Sequence, residues 1–365
     1  MQTKEILNSE KLKNVMAESH GFYIGEDILS SPAFFPDKRA PLLVVFNSSE
    51  NFRQILNKLL DCYGEKTQVR VFWGSDEKTL SLGELYEKMP FPAVVLFPAQ
   101  KLTERARFDF SDLVEIMTTL RGENGCKWDR AQTHKSIRIN LIEEAYELVD
   151  AIDADDKAMI LEEIGDVLLQ AVFHTHIEMQ EGTFGYGEML TAICQKLLSR
   201  HTHIFGENRA ENAEQALNFW NEAKSVEKGY KTVASAMELV PKNMPALLYS
   251  YKLQKKAAKA GFDWDDVKGV VDKIGEEILE LMSARNTKER EDEGGDLLFA
   301  AVNLLRFLDV EPELALKAAS EKFLKRFKLL EQKISAQGKK IGDLSLAQME
   351  EVWQDVKRAE DSGNK

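Results

Sequence analysis

The chain has 365 residues, 44% of them hydrophobic and 30% charged, and a formal net charge of −13. Such a composition excludes a disordered chain, the length predicts two or three domains, and the charge argues against general affinity for nucleic acid or an anionic membrane. The three cysteines, Cys62, Cys126 and Cys194, have no CxxC spacing, so neither a disulfide framework nor a thiolate zinc site is expected and the compartment reads as a reducing cytoplasm.

The first residues, MQTKEILNSEKLKN, lack the apolar core of a secretion signal, and no run of about 18 apolar residues is present to span a bilayer. Residues 41–97 alternate extended and helical patterns: PLLVVF, a helical stretch from Asn51 to Cys62, then TQVRVFW, SLGELYEKM and AVVLF. This punctuation predicts a small α/β domain over residues 1–100. From Phe108 onward apolar residues recur at three- and four-residue spacing and no strand pattern remains, which predicts helices to the end. The Gly229-Tyr230-Lys231-Thr232-Val233 stretch with Pro241 and Pro245 interrupts that periodicity, making residues 231–243 a linker between helical domains at 108–230 and 244–361. The fold class expected is therefore mainly α, with two tandem all-α helical-bundle domains preceded by a small α/β domain.

The two helical stretches repeat one another. LIEEAYELVDAI at 141 is echoed by KIGEEILELMSA at 273, LEEIGDVLLQAVF at 161 by EDEGGDLLFAAVN at 291, and FWNEAK at 219 by VWQDVK at 352. Glu143 and Glu276 lie 133 residues apart, Glu163 and Glu293 130, Lys196 and Lys322 126, and Trp220 and Trp353 133. A duplicated unit is the simplest source.

Each unit carries EExxE, then ExxD, then KxxxR, then WxxxK. Residues three or four apart share a helix face, so Glu143, Glu144 and Glu147 point roughly one way and Glu163 and Asp166 do so on the next helix. The second unit offers Glu276, Glu277, Glu280, Glu293 and Asp296. A solvated charged face is the bland alternative. Against it, Val167, Leu168, Leu169, Ala171, Val172 and Phe173 surround the ExxD helix, so its carboxylates are expected to be half buried. Gly165 and Gly295 precede the aspartates at about 1 kcal/mol of helix propensity each, which predicts close approach of a backbone or ligand. Facing carboxylates in a poorly solvated site need a cation, and an all-oxygen set without histidine suits Mg²⁺, with Mn²⁺ as a substitute. No Glu-x-x-His occurs, which disfavours a di-iron centre. Lys196 and Arg200, Lys322 and Arg326, and the Trp220–Lys224 and Trp353–Lys357 pairs supply the cations a polyphosphate would need beside Mg²⁺. For any single one of these, a solvated cation or a core tryptophan is the alternative; their repetition weakens it.

The segments LVEIMTTLRGENGCKWDRAQTHKSIRINLIEEAYEL, LEEIGDVLLQAVFH, KLLSRHTHIFG and WNEAKSVEK together resemble the MazG family of nucleoside triphosphate pyrophosphohydrolases, and the second unit resembles that family's second domain. The likeness covers roughly residues 108–360, with the motifs in order. It implies an all-α fold, a homodimer whose helices pack across subunits, and Mg²⁺-dependent cleavage of an NTP or dNTP to the monophosphate and pyrophosphate. Position by position it implies Glu277, Glu280, Glu293 and Asp296 as metal ligands, Lys322, Arg326 and Lys357 on the triphosphate, and Trp353 near base or ribose. The first unit matches with Glu144, Glu147, Glu163 and Asp166, then Lys196, Arg200, Trp220 and Lys224. The resemblance also suggests the second domain as the principal hydrolase. One departure is Lys127, in Cys126-Lys127-Trp128-Asp129, where the family usually has proline; it bears on the shape of that loop.

The expected mechanism is a displacement in which a water of lowered pKa attacks the α-phosphorus and pyrophosphate leaves with its charge neutralised by metal, lysine and arginine. The sequence leaves the general base open, and Asn303 is placed either against the nucleotide or as a buried spacer. A non-catalytic nucleotide-binding regulator or a structural helical dimer is the alternative. FFPDKRAPLLVVFN through AVVLFPA resembles the carboxy-terminal half of a tetrapyrrole methylase, but fewer than 40 residues precede the first clear strand, so no methylation is expected. His174 and His176 are expected in the core, and His201 and His203 at a helix end.

Overall fold

The structure, a computed structural model, describes residues 21–31, 34–229 and 232–363. Helices dominate it, with one small sheet near the amino-terminal end. The chain divides into two compact units, Met1–Lys196 and Leu197–Lys365.

In the first unit, β1 (Gly21–Ile24), β2 (Leu42–Phe46), β3 (Gln68–Trp73), β4 (Asp76–Ser81) and β5 (Ala93–Phe97) form a sheet in the order β1-β2-β5-β3-β4. Only the β1–β2 pairing is parallel. LLVVF and AVVLF are apolar throughout because β2 and β5 are buried on both faces. One face packs on α1 (Phe52–Tyr63), which inserts Ile55, Leu56 and Leu59. Two strands escape the hydrophobic pattern. β4, DEKTLS, is a polar outer strand paired to β3, and β1, GFYI, is short and largely exposed. The first strand therefore starts at Gly21, earlier than the one the sequence singles out.

After the sheet come α2 (Phe110–Arg121), α3 (His134–Asp153), α4 (Lys157–Glu181) and α5 (Tyr186–Arg200). A buried ion network ties α2 to the sheet region. The Lys38 ammonium sits 2.9 Å from Asp112 and 3.3 Å from Asp109, and Arg105 sits 2.6 Å from the other Asp112 oxygen. Asp109 also caps α2, accepting from the amides of Ser111 and Asp112. α3 and α4 pair as a hairpin through residues 154–156, and Met117, Ile137, Val172, Phe173 and Ile177 form the core beneath. The loop containing Lys127 closes as a short helix, Lys127–Ala131, held by Arg121, whose guanidinium donates to the carbonyls of Asp129 and Gln132. Gly125 is obligatory there: a Cβ would fall 2.2 Å from the Leu120 carbonyl oxygen.

In the second unit, α6 (Ala213–Lys228) is followed by α7 (Ala246–Lys259), α8 (Val267–Ser283), α9 (Thr287–Phe307), α10 (Pro312–Ala336) and α11 (Leu346–Gly363). Side chains of Asp266, Asn286 and Glu311 cap α8, α9 and α10. α8 and α9 form a second hairpin, α7 lies on α9, and α10 with α11 encloses Leu330, Ile334 and Val356. The expected linker at 231–243 contains a helix of its own, Val233–Glu238, capped by Thr232; Lys231 lies outside the described residues.

Candidate functional site

The EExxE and ExxD motifs land on the two arms of each hairpin, as their spacing requires. In the first, Glu144 on α3 meets Glu163 and Asp166 on α4, each offering an oxygen within 4.8 Å of the others. In the second, Glu277 on α8 meets Glu293 and Asp296 on α9 within the same limit. Glu147 and Glu280 are exposed and stand outside these trios.

The trios gather carboxylates that the chain pairs only in part. Glu163 is 5% exposed, and its Oε2 finds no hydrogen-bond partner. Burial pushes its carboxyl above the ordinary range, and Glu147, Asp166, Glu162 and Glu144 push it further. Burial does the same to Glu144, aided by Asp166 and Glu147, while the Gln170 amide, 3.5 Å away, opposes it. Glu293 is raised by burial and then by Glu280, Glu277 and Asp296. Glu277, also 5% exposed, has one oxygen 2.6 Å from the Lys273 ammonium and the other unpartnered. An unpartnered buried carboxylate oxygen in a trio of oxygen donors fits a hard divalent cation such as Mg²⁺.

A cavity of about 770 Å³ adjoins the second trio. Glu277, Asp296 and Lys273 line it together with Phe262, Trp264 and Phe299 as an aromatic wall and Gln254, Asn303 and Arg306 as polar groups. Arg306 is bidentate to Asp263 and also donates to Asn303 Oδ1 at 3.0 Å. Buried Gln254 donates to the Phe299 carbonyl at 2.8 Å and keeps its own oxygen unpartnered. Asn303 is thus half-buried in the lining of this cavity. Lys273, Arg306 and the Phe262-Asp263-Trp264 turn escape the sequence reading, although Lys273 stands four residues before Glu277, the spacing of a helix ion pair.

The remaining expected residues lie elsewhere. Lys322, Arg326, Trp353 and Lys357 do not line this cavity. The Trp353 ring lies 5.4 Å from Phe323 and packs against the Leu330–Ile334–Val356 cluster. Arg200 is bidentate to Glu227, and both it and Lys224 sit 5.0 Å from the Trp220 ring. Lys196, on α5, keeps to the first unit.

A Cβ at Gly165 or Gly295 would meet nothing within 4 Å, so among the described residues no backbone of this chain packs close against either glycine. The carboxylates of the first ExxD helix are buried or half-buried as expected, Glu163 at 5% exposure and Asp166 intermediate, while Leu161, Ile164 and Leu168 on the same helix are 77%, 53% and 42% exposed. His176 is buried beside the Tyr186 hydroxyl at 3.1 Å, and His174 stacks on His134. α5 ends at Arg200, just before His201.

A family model described as the MazG nucleotide pyrophosphohydrolase domain matches residues 132–205, which hold the first trio. The nucleoside triphosphate pyrophosphohydrolase/pyrophosphatase MazG of Thermotoga maritima is 43% identical over 253 residues, 69% of this chain and 97% of that protein. The nucleoside triphosphate pyrophosphohydrolase of Escherichia coli K12 is 43% identical over 254 residues, 68% of this chain and 97% of that protein. An uncharacterized Bacillus subtilis protein, YabN, is 38% identical over 293 residues, 79% of this chain and 60% of that protein. Matched along nearly the whole length of two such relatives, the chain belongs to the MazG family of nucleotide pyrophosphohydrolases.

Proposed function

We propose that this chain is a Mg²⁺-dependent nucleoside triphosphate pyrophosphohydrolase whose second repeat carries most of the turnover. The observation behind this is that Glu277 and Asp296 share one cavity with an aromatic wall and three polar groups, large enough for a nucleoside. Glu277, Glu293 and Asp296 would hold Mg²⁺, with Glu280 at the exposed edge. When bound, the metal neutralises phosphate charge and lowers the pKa of the water that attacks the α-phosphorus. Phe262 and Trp264 offer faces for a base to stack on, and Asn303 and Arg306 offer hydrogen-bonding groups for its edge or for the ribose. Lys273 brings a cation to the trio at the place where phosphate charge must be held.

The resemblance gives Lys322, Arg326 and Lys357 to the triphosphate and Trp353 to the base or ribose. They lie off the cavity of one chain, and a homodimer would supply them from a second copy. Exposed Ile278, Leu279 and Met282, at 42%, 69% and 80%, support an apolar partner for α8. By the same reading Glu144, Glu147, Glu163 and Asp166 hold metal in the first repeat.

The test is pyrophosphate release from a panel of NTPs and dNTPs with Mg²⁺. Glu293→Ala should reduce kcat by at least about a hundredfold, as loss of a metal ligand does, and Glu163→Ala far less. Release that survives Glu293→Ala but not Glu163→Ala would move turnover to the first repeat, and no release from the intact chain would leave a nucleotide-binding protein.

A further inference from the structure

We propose that Gln254 reads the base of the nucleotide, selecting bases that carry an exocyclic amino group over those that offer only keto oxygens and a ring N–H. The inference rests on the reading that the cavity of the second unit takes a nucleoside, and it adds the class of base.

Gln254 stands on α7 and lines the cavity with 7% of its surface exposed. Its neighbours fix which way its amide faces. Nε2 donates to the Phe299 carbonyl at 2.8 Å, and a carbonyl only accepts, so Oε1 is the acceptor; that oxygen has no hydrogen-bond partner. A buried acceptor left unpaired is costly, and a donor brought in by a ligand removes that cost. Asn303 is fixed in the same way from α9. Its Oδ1 accepts from Arg306 Nε at 3.0 Å, which leaves Nδ2 as a donor, and Arg306 is itself held by Asp263. Phe262, Trp264 and Phe299 stand in the same wall and suit a flat ring better than a ribose.

The chemistry of the bases supplies the selection. Adenine and cytosine place an amino group beside an unprotonated ring nitrogen, a donor and an acceptor that complement Gln254 and Asn303. Guanine carries an amino group at its 2-position. In uracil, thymine and hypoxanthine the only donor is a ring N–H flanked by keto oxygen. Bringing it to Gln254 sets one acceptor oxygen beside another in a poorly solvated wall, where an unmade hydrogen bond discriminates strongly.

The acceptor belongs to the second repeat alone. Gln254 precedes Gly261-Phe262-Asp263-Trp264-Asp265 by seven residues, and Thr118 precedes the matching Gly125-Cys126-Lys127-Trp128-Asp129 by the same number. Thr118 is exposed and returns its hydroxyl to the Val114 carbonyl of its own helix at 2.8 Å.

The experiment is titration calorimetry of the full chain with Mg²⁺ and the α,β-methylene triphosphates of adenosine, inosine, cytidine and uridine. Within each pair the bases differ only by deamination. Adenosine should bind about tenfold or more tighter than inosine, and cytidine than uridine. Gln254→Met, which keeps the bulk and removes the acceptor, should bring both ratios close to one by weakening the amino member of each pair. If that chain fails to fold by circular dichroism, the purine riboside analogue decides on the unaltered chain: lacking only the amino group of adenosine, it should bind about tenfold more weakly. The 2′-deoxyadenosine analogue should bind as adenosine does. Equal affinities within the pairs, ratios that survive Gln254→Met, or a loss confined to the deoxy analogue overturns the proposal, the last by moving the contact to the ribose. Pyrophosphate release is read separately with the hydrolysable nucleotides. Release with equal affinities leaves the hydrolase reading standing without this one, and unequal affinities without release leave base selection standing without hydrolysis.

Discussion

α4 and α9 carry the same acidic spacing and then diverge along the same face. After Glu163 and Asp166, α4 continues with Gln170, Phe173 and His176, which are 9%, 6% and 2% exposed. After Glu293 and Asp296, α9 continues at the matching positions with Ala300, Asn303 and Arg306, and all three line the cavity. In the first repeat Phe173 lies under the Arg121 guanidinium, 5.0 Å from its ring, and His176 sits against Tyr186. In the second, Ala300 withdraws the bulk and Arg306 reaches sideways to Asp263. The two hairpins thus share the carboxylates and differ in what stands behind them, core packing in one and a lined cavity in the other.

The sharpest way to break this contrast is to put the glutamine of the first repeat into the second. Ala300→Gln adds bulk and a polar amide to the cavity wall, 8% exposed at present. Bulk placed where the nucleoside is proposed to sit should lower kcat/KM for nucleotide hydrolysis about tenfold or more, with the loss mainly in KM. The open cavity should absorb the change without loss of Tm. Unchanged KM would mean that the nucleotide does not use this cavity, and the stated difference between the repeats would lose its functional meaning.

Legibility in the sequence follows the same division. Patterns that repeat every two or three to four residues are visible: β2, β5, α1 and the hairpin helices fall where periodicity puts them, and the trios follow from helix spacing alone. What is hidden depends on contacts between distant elements. β4 is polar because it is an outer strand, and Lys38, Arg105 and Asp112 read as surface charges until α2 and the sheet region close over them. The Phe262–Trp264 turn becomes a cavity wall only when α7 lies on α9. Apolar neighbours correctly predict the burial of Glu163 and Asp166, but such a count does not say which apolar side chains of the helix stay exposed, as Leu161 and Ile164 do.

A smaller effect probes the trios themselves. Lys273 bridges Glu276 and Glu277 at 2.8 and 2.6 Å, whereas the matching position in the first repeat is Asn140. Those two carboxylates hold the Lys273 ammonium well above its ordinary value. A cation entering the second trio therefore competes with an internal one. Lys273→Ala should tighten Mg²⁺ binding to the nucleotide-free protein a few-fold at most, the pair being part-exposed and screened by water, and Asn140→Lys should weaken it at the first trio. Calorimetric Mg²⁺ titration of the two variants checks both signs. Identical affinities would show that Lys273 leaves the trio without cost when metal arrives.

The smallest effect separates the trios by stability. Glu163 is buried more deeply than Glu293, and both carboxyls are raised above the ordinary range, chiefly by burial. A carboxyl raised in the folded state favours folding only in its protonated form. Its ionisation therefore costs stability above the raised pKa, and that cost fades as pH falls through it toward the unfolded value. In metal-free protein, Glu163→Gln should raise Tm near neutral pH, and the gain should shrink steadily on acidification. Glu293→Gln should do the same more weakly. Excess Mg²⁺ should reverse the order, since the intact trios then gain a ligand that the glutamine variants hold poorly. Thermal melts across pH, with EDTA or with Mg²⁺, read both signs. A Glu163→Gln chain that melts below wild type in EDTA at every pH would mean that the buried oxygen of Glu163 has a partner within the chain, and the first trio would then have no need of a cation.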